Sequence, residues 1–166
     1  KWLMKGAIGE NVAVVSRGAR MSKRLLLLGA SGLIGSELLT MARAEGWQLA
    51  APSHAELDIG DCEQVMAWVL QFSPDVILNA AGYTDVDGGE SHPALNWLVN
   101  DQGAANLAFA AERSGAMLVH LSSDYVFDGA SSQPYQEDAL PHPINAYGRA
   151  KHAGEQAVQS TVARHL

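Results

Sequence analysis

Residues 24–35 read RLLLLGASGLIG, and this stretch decides the fold. The leucines from Leu25 to Leu28 form an apolar run with no polar face, which suits a strand buried on both sides of a parallel sheet. The run ends at Gly29, and glycine recurs at Gly32 and Gly35. Apolar residues at helical spacing follow through residue 45, with Gly46 placed as a C-cap. Gly29 allows a tight turn, Gly32 lets the backbone come close to a pyrophosphate, and Gly35 lets the new helix pack on the strand. The helix N-terminus then offers unpaired N–H groups and partial positive charge to the phosphates. A glycine turn also arises for steric reasons alone. Placed between the first credible strand and helix, it favours dinucleotide binding.

The rest of the chain repeats the alternation. Strands are expected over residues 24–28, 48–51, 75–79 and 117–121, and helices over 33–45, 61–72, 94–114 and 145–162. Asp61 is a candidate N-cap and Pro74 a stop. Strands separated by helices imply right-handed βαβ units. The expected fold is α/β, a Rossmann-type doubly wound parallel sheet with helices on both faces. Such sheets bind ligands beyond the carboxyl ends of their strands.

No linker divides residues 21–166, which are expected to form one NAD(P)-binding domain. Residues 1–20, KWLMKGAIGENVAVVSRGAR, lack the continuous apolar region of a signal peptide. Met21-Ser22-Lys23 before the first strand looks like a natural start, so 1–20 are expected to be an extension, with an edge strand over 11–16 as the alternative. A net charge of -7 argues against nucleic acid, which needs clustered Lys and Arg. The single cysteine, Cys62, excludes an internal disulfide and fits a reducing, cytoplasmic compartment. No apolar run approaches the roughly 20 residues of a membrane helix. No metal site is expected: no two histidines stand at ligand spacing, and Asp85, Asp87 and Glu90 read as a solvated loop. His120, alternating within an apolar strand, reads as a core histidine.

At the second strand end the chain reads Ala51-Pro52-Ser53-His54, without the carboxylate that usually holds the ribose diol of NAD. Ser53 or His54 is then free to bond a 2′-phosphate, which favours NADPH while leaving NADH open. Asp58-Ile59 lies where a loop covers an adenine, although Asp58 also suits a helix cap. At the third strand end, Ala80, Ala81 and Gly82 are small enough for a nicotinamide ribose to lie across the sheet edge. Asn100 either braces that backbone or is a satisfied buried amide.

The fourth strand end opens a stretch from Leu118 to Lys151, LVHLSSDYVFDGASSQPYQEDALPHPINAYGRAK. Tyr147 and Lys151 stand four apart on a helix and share a face. An ammonium beside a phenol favours the phenolate, so the phenol gives up its proton readily, as a general acid should. Lys151 can also hold the nicotinamide ribose hydroxyls, and Tyr147 is counted with it among the expected cofactor contacts. A serine at the strand end, Ser122 or Ser123, would stabilise the oxyanion that forms when hydride reaches a carbonyl.

From residue 21 onward the chain resembles the extended short-chain dehydrogenase/reductase superfamily, and within it the dTDP-4-dehydrorhamnose reductases. The resemblance rests on GASGLIG, LDI, PDVILNAAGYTDVDGGES, LVHLSSDYVFDG and PYQEDALPHPINAYGRAKHAGEQAV. It implies a catalytic set of Ser123, Tyr147 and Lys151, with Asp124 beside the sugar. It implies cofactor contacts at Gly32, Leu33, Ile34, Asp58, Ile59, Gly82, Tyr83 and Thr84, and NADPH-dependent reduction of the 4-keto group of dTDP-4-dehydro-L-rhamnose, with NADH as a second donor. A nucleotide sugar is the implied partner, and a homodimer is left open. Gly88-Gly89 stands where the family has a basic residue. The family also runs on past the position of Leu166 into the sugar pocket, so a shortened, inactive chain is implied. The runner-up is a non-catalytic relative similar to the regulatory β subunit of methionine adenosyltransferase. A nucleotide-sugar epimerase or dehydratase ranks below it.

Overall fold

The computed structural model describes residues 23–166; the expected extension over 1–20, its alternative strand over 11–16, and residues 21–22 lie outside them. Among the described residues four strands build the sheet: β1 (Arg24–Leu28), β2 (Gln48–Ala50), β3 (Val76–Asn79) and β4 (Met117–His120). All pairs are parallel, in the order β2-β1-β3-β4. Leu26 and Leu27 point to opposite faces of β1, yet both are fully buried, so both faces of the sheet are covered.

The helices are α1 (Leu33–Ala44), α2 (Cys62–Phe72), α3 (Val86–Ser91), α4 (Pro93–Trp97), α5 (Gly103–Ser114) and α6 (Ala146–Thr161). The path from β1 to β2 runs one way along the sheet, and the path from β2 to β3 runs back past β1. Right-handed crossovers therefore place α1 on one face and α2 and α5 on the other. The reversal creates a topological switch point between the carboxyl ends of β1 and β3. At the far edge, Leu118 N–H donates to Arg164 O at 2.9 Å and Leu166 N–H to Leu118 O at 2.9 Å, so residues 164–166 run beside β4.

Most elements end where the local chemistry says they should. Asp61 caps α2 by accepting from Glu63 and Gln64 N–H, Asn145 caps α6 through Gly148 N–H, and α5 stops at Gly115 in the left-handed region.

Two expectations are corrected. The solvated loop over Asp85, Asp87 and Glu90 is largely the helix α3, N-capped by Asp85. Two adjacent glycines argue against a helix locally, but here both pack closely on neighbouring side chains. A Cβ on Gly88 would strike the Asp85 carboxylate and stand 2.5 Å from the Tyr83 hydroxyl, and Gly89 is buried against Asn96. The single helix expected over 94–114 is α4, a π-helical turn over Leu98–Gln102, and α5. The π turn carries Asn100, and such bulges concentrate at functional sites.

Candidate active site

A cleft of about 890 Å³ opens at the switch point, within the range typical of cofactor pockets. The turn after β1 forms its floor. Gly29 sits at φ 77°, and a Cβ there would lie 2.5 Å from the Ala80 carbonyl carbon, so this turn packs directly on the turn after β3. Gly35 is buried against the same turn, whereas a Cβ on Gly32 would meet only the Gly29 carbonyl oxygen, at 3.4 Å. No side chain caps the N-terminus of α1. The open glycine and the uncapped helix end together fit a pyrophosphate. Every residue expected at the cofactor except Tyr147 and Lys151 lines the cleft: Gly29, Gly32, Leu33, Ile34, Gly35, Ser53, Asp58, Ile59, Ala81, Gly82, Tyr83 and Thr84.

The second strand end differs from its sequence reading. No carboxylate occurs between Ala51 and His54, but Glu56 folds back and supplies one. Ser53 donates to Glu56 Oε2 through its N–H at 2.8 Å and its hydroxyl at 2.7 Å. The Ser53 backbone bond, then its hydroxyl bond, hold the Glu56 carboxyl below the usual carboxylate range. The Ser53 hydroxyl is therefore engaged with an anion. His54 Nδ1 stands 4.0 Å from Asp58 Oδ1, and among the described residues no Lys or Arg lines the cleft. Asp58 does not cap α2; its Oδ1 accepts from Gly60 N–H at 2.8 Å.

Ser123 lies beyond the end of β4, where Leu121 N–H still donates to Asn79 O at 3.1 Å. Its Oγ accepts from Tyr125 N–H at 3.3 Å and donates to Asp124 Oδ1 at 3.2 Å. Lys151, buried on α6, donates from Nζ to Leu121 O at 2.6 Å. Burial pushes its ammonium down to about 8, with the Glu155 carboxylate opposing. Tyr147 is buried edge-on against Tyr125, ring centroids 5.6 Å apart at 82°. Gly148 makes that approach possible, since any Cβ there would collide with the Tyr125 carbonyl oxygen. Lys151 thus grips the residue two before Ser123, and Tyr147 packs on the residue two after it. The three expected catalytic residues share one neighbourhood at the strand end next to the cleft, though none forms part of its lining.

Beneath them, Asn79 and His120 are register partners on β3 and β4. Asn79 Oδ1 accepts from Ala81 N–H at 3.1 Å, which turns its Nδ2 toward His120 Nδ1 at 3.0 Å. The neutral ring then carries its proton on Nε2, which is buried without a partner. Burial, and secondarily the Lys151 charge, push His120 down to about 4. The unfolded chain binds the extra proton between about 4 and the unperturbed 6.5, so stability is expected to rise with pH across that window and to fall on acidification. His120→Gln should flatten this dependence in denaturation midpoints measured between pH 4 and 7. An unchanged slope would show that the histidine is not the titrating group.

Sequence reasoning missed Glu56, Glu90 and Asn96. Ala146 N–H donates to Glu90 Oε1 at 2.7 Å, and Asn96 Nδ2 donates to Ala146 O at 2.9 Å. The available signal for Asn96 was an amide four residues before Asn100 on one helical face. Asn100 braces the cofactor-side backbone, one of the two readings its position allowed: Oδ1 accepts from Tyr83 N–H at 3.1 Å, and Nδ2 donates to Tyr83 O at 2.9 Å. Among the described residues no cluster of His, Cys, Asp and Glu could hold a metal ion, and no helix is long and apolar enough to cross a membrane.

The family model of the RmlD substrate binding domain matches residues 23–166. A curated dTDP-4-keto-6-deoxy-D-glucose reductase of Streptomyces niveus is 44% identical, over 83% of this chain and 48% of that protein. A dTDP-4-dehydrorhamnose reductase of Streptomyces griseus is 43% identical, over 81% of this chain and 44% of that protein. The crystal structure of dTDP-4-dehydrorhamnose reductase from Bacillus anthracis in complex with NADP superposes with a TM-score of 0.85 at 36% identity, over 89% of this chain and 53% of that one. The chain spans less than half the length of these two curated relatives.

Proposed function

The chain belongs to the RmlD substrate binding domain family, and from that premise we propose that it carries the cofactor cleft and proton donor of an NADPH-dependent nucleotide-sugar reductase. The observation that carries this reading is the joining of Ser123, Tyr147 and Lys151 through Leu121 and Tyr125, at the strand end next to a glycine-floored cleft. NADPH, when bound, supplies the hydride. Gly32 and the N-terminus of α1 would hold its pyrophosphate, and Ala81 to Thr84 would face its nicotinamide end. Tyr147 gives its phenolic proton to the substrate carbonyl oxygen, and Lys151 keeps positive charge beside it. The Ser123 hydroxyl turns from Asp124 to the same oxygen and stabilises the developing charge.

The substrate class is a dTDP-linked 4-keto-6-deoxyhexose, supported by the names of the two relatives, and the favoured member is dTDP-4-dehydro-L-rhamnose, reduced to dTDP-L-rhamnose. The protein that carries this chain is expected to consume NADPH when given that sugar nucleotide. Bound NADPH without consumption on either 4-keto sugar would refute the reductase reading.

NADH should also be accepted as donor, because Glu56 sets a negative charge beside Ser53 and, among the described residues, no Lys or Arg lines the cleft to offset it. Glu56→Gln is therefore expected to raise the NADPH-to-NADH affinity ratio in a binding titration, more so at low salt, where an exposed charge is least screened. An unchanged ratio would remove Glu56 from cofactor selection.

A further inference from the structure

The peptide groups of two residues far apart in sequence are each held on both sides by side chains, and the two grips are joined. Tyr83, on the cofactor side, has its N–H and C=O bonded to the Asn100 carboxamide, at 3.1 and 2.9 Å. Ala146, immediately before Tyr147, has its N–H bonded to Glu90 at 2.7 Å and its C=O to Asn96 at 2.9 Å. Asn100 Nδ2 also donates to Asn96 Oδ1 at 2.8 Å, which closes the chain from Tyr83 to Ala146.

Both amides are almost wholly removed from solvent, Asn96 at 0% and Asn100 at 2% exposure. A buried carboxamide is costly unless its groups are bonded, and asparagine is a poor helix former. Core packing alone would be served by two apolar side chains. The amides instead reach one peptide in the cofactor loop and one at the start of the catalytic helix. The second grip leads straight to Tyr147: Gly89 of α3 is close enough that a Cβ there would stand 3.6 Å from Tyr147 N, and Glu90 follows it. Glu90 Oε1 also lies 3.7 Å from Arg149 Nη2, so the same carboxylate faces two points of the first turn of α6.

We propose that Asn96 and Glu90 are positioning residues of the reduction step, fixing Tyr147 relative to the cofactor-side loop by tying Ala146 to Tyr83 through Asn100. The proposal rests on the reductase reading. A proton donor and a hydride donor must both meet one carbonyl, and a misplacement of about 1 Å can cost about a hundredfold in rate. The relay holds the two sides in fixed register before substrate arrives.

The test is a double-mutant cycle in the protein that carries this chain, read as kcat per folded site with NADPH affinity measured separately. Glu90 is half exposed, so Glu90→Ala should fold. It is expected to lower kcat about tenfold with unchanged NADPH affinity, and Glu90→Gln, which keeps an acceptor for Ala146 N–H, should restore kcat to within about twofold. Asn96→Ala should lower kcat at least as far, and if it does not fold the Glu90 pair decides. In a Tyr147→Phe background neither substitution should lower the rate further. Full additivity with Tyr147→Phe, or no rescue by glutamine, would overturn the positioning role. If Tyr147→Phe alone leaves the rate intact, the reductase reading fails first and the relay with it.

Discussion

Tyr147→Phe is expected to lower the rate of sugar-nucleotide reduction by about a hundredfold to ten-thousandfold, the range of a positioned general acid. The exchange removes one hydroxyl and leaves the ring. Tyr147 is buried edge-on against Tyr125, and that contact uses the ring alone, so phenylalanine retains it. The backbone of α6 is fixed independently, by the Asn145 cap and by the bonds from Glu90 and Asn96 to Ala146. Folding and NADPH affinity should therefore survive, and the loss should fall on kcat. Lys151 offers the comparison. Its Nζ holds Leu121 O at 2.6 Å, so Lys151→Met removes a charge and also leaves that carbonyl without its donor. It should cost stability as well as rate, while Tyr147→Phe should cost rate alone. Near-native turnover by the Phe variant would remove Tyr147 from the proton-donor role.

The parts of the site that were legible in the sequence are those whose cause is local. Leu25 to Leu28 are apolar because both faces of β1 are covered, and Gly29 must follow because its φ of 77° suits no other residue well. Asp61 and Asn145 stand where helices need caps. Ser123 and the cleft-lining residues fall at strand ends, where a parallel sheet gathers its ligands whatever the loops do. What was hidden depends on pairs distant in the chain. Nothing near Glu90 announces that its carboxylate will bond Ala146, 56 positions later. The glycines at 88 and 89 read as a loop because propensity is local, while the reason for them, close packing on Tyr83, Asp85 and Asn96, is tertiary. Glu56 escaped for a smaller reason. The strand end itself, Ala51 to His54, carries no carboxylate, and the chain turns one back onto Ser53 from three residues further on.

The glycine turn can be separated into a folding part and a binding part by two conservative substitutions. In Gly35→Ala the new methyl would overlap the Gly29 carbonyl oxygen and stand 2.7 Å from its carbon and 2.9 Å from Ala30 Cα. All of these atoms are backbone, fixed in turn by the packing of Gly29 on Ala80 and Ala81, so no side chain can swing aside. Overpacking of this kind costs about 3 kcal/mol, which for a domain of this size lowers Tm by about 10 °C. In Gly32→Ala the methyl meets only the Gly29 carbonyl oxygen, at 3.4 Å, an ordinary contact, and otherwise enters open space at the uncapped end of α1. Stability should hardly change. The methyl would stand where the pyrophosphate approaches the backbone, and NADPH affinity should fall about tenfold or more. Thermal melts and cofactor titrations on the pair separate the two effects. A Gly35→Ala protein of native Tm would show that the turn relaxes, and a Gly32→Ala protein of native affinity would show that the phosphates lie elsewhere in the cleft.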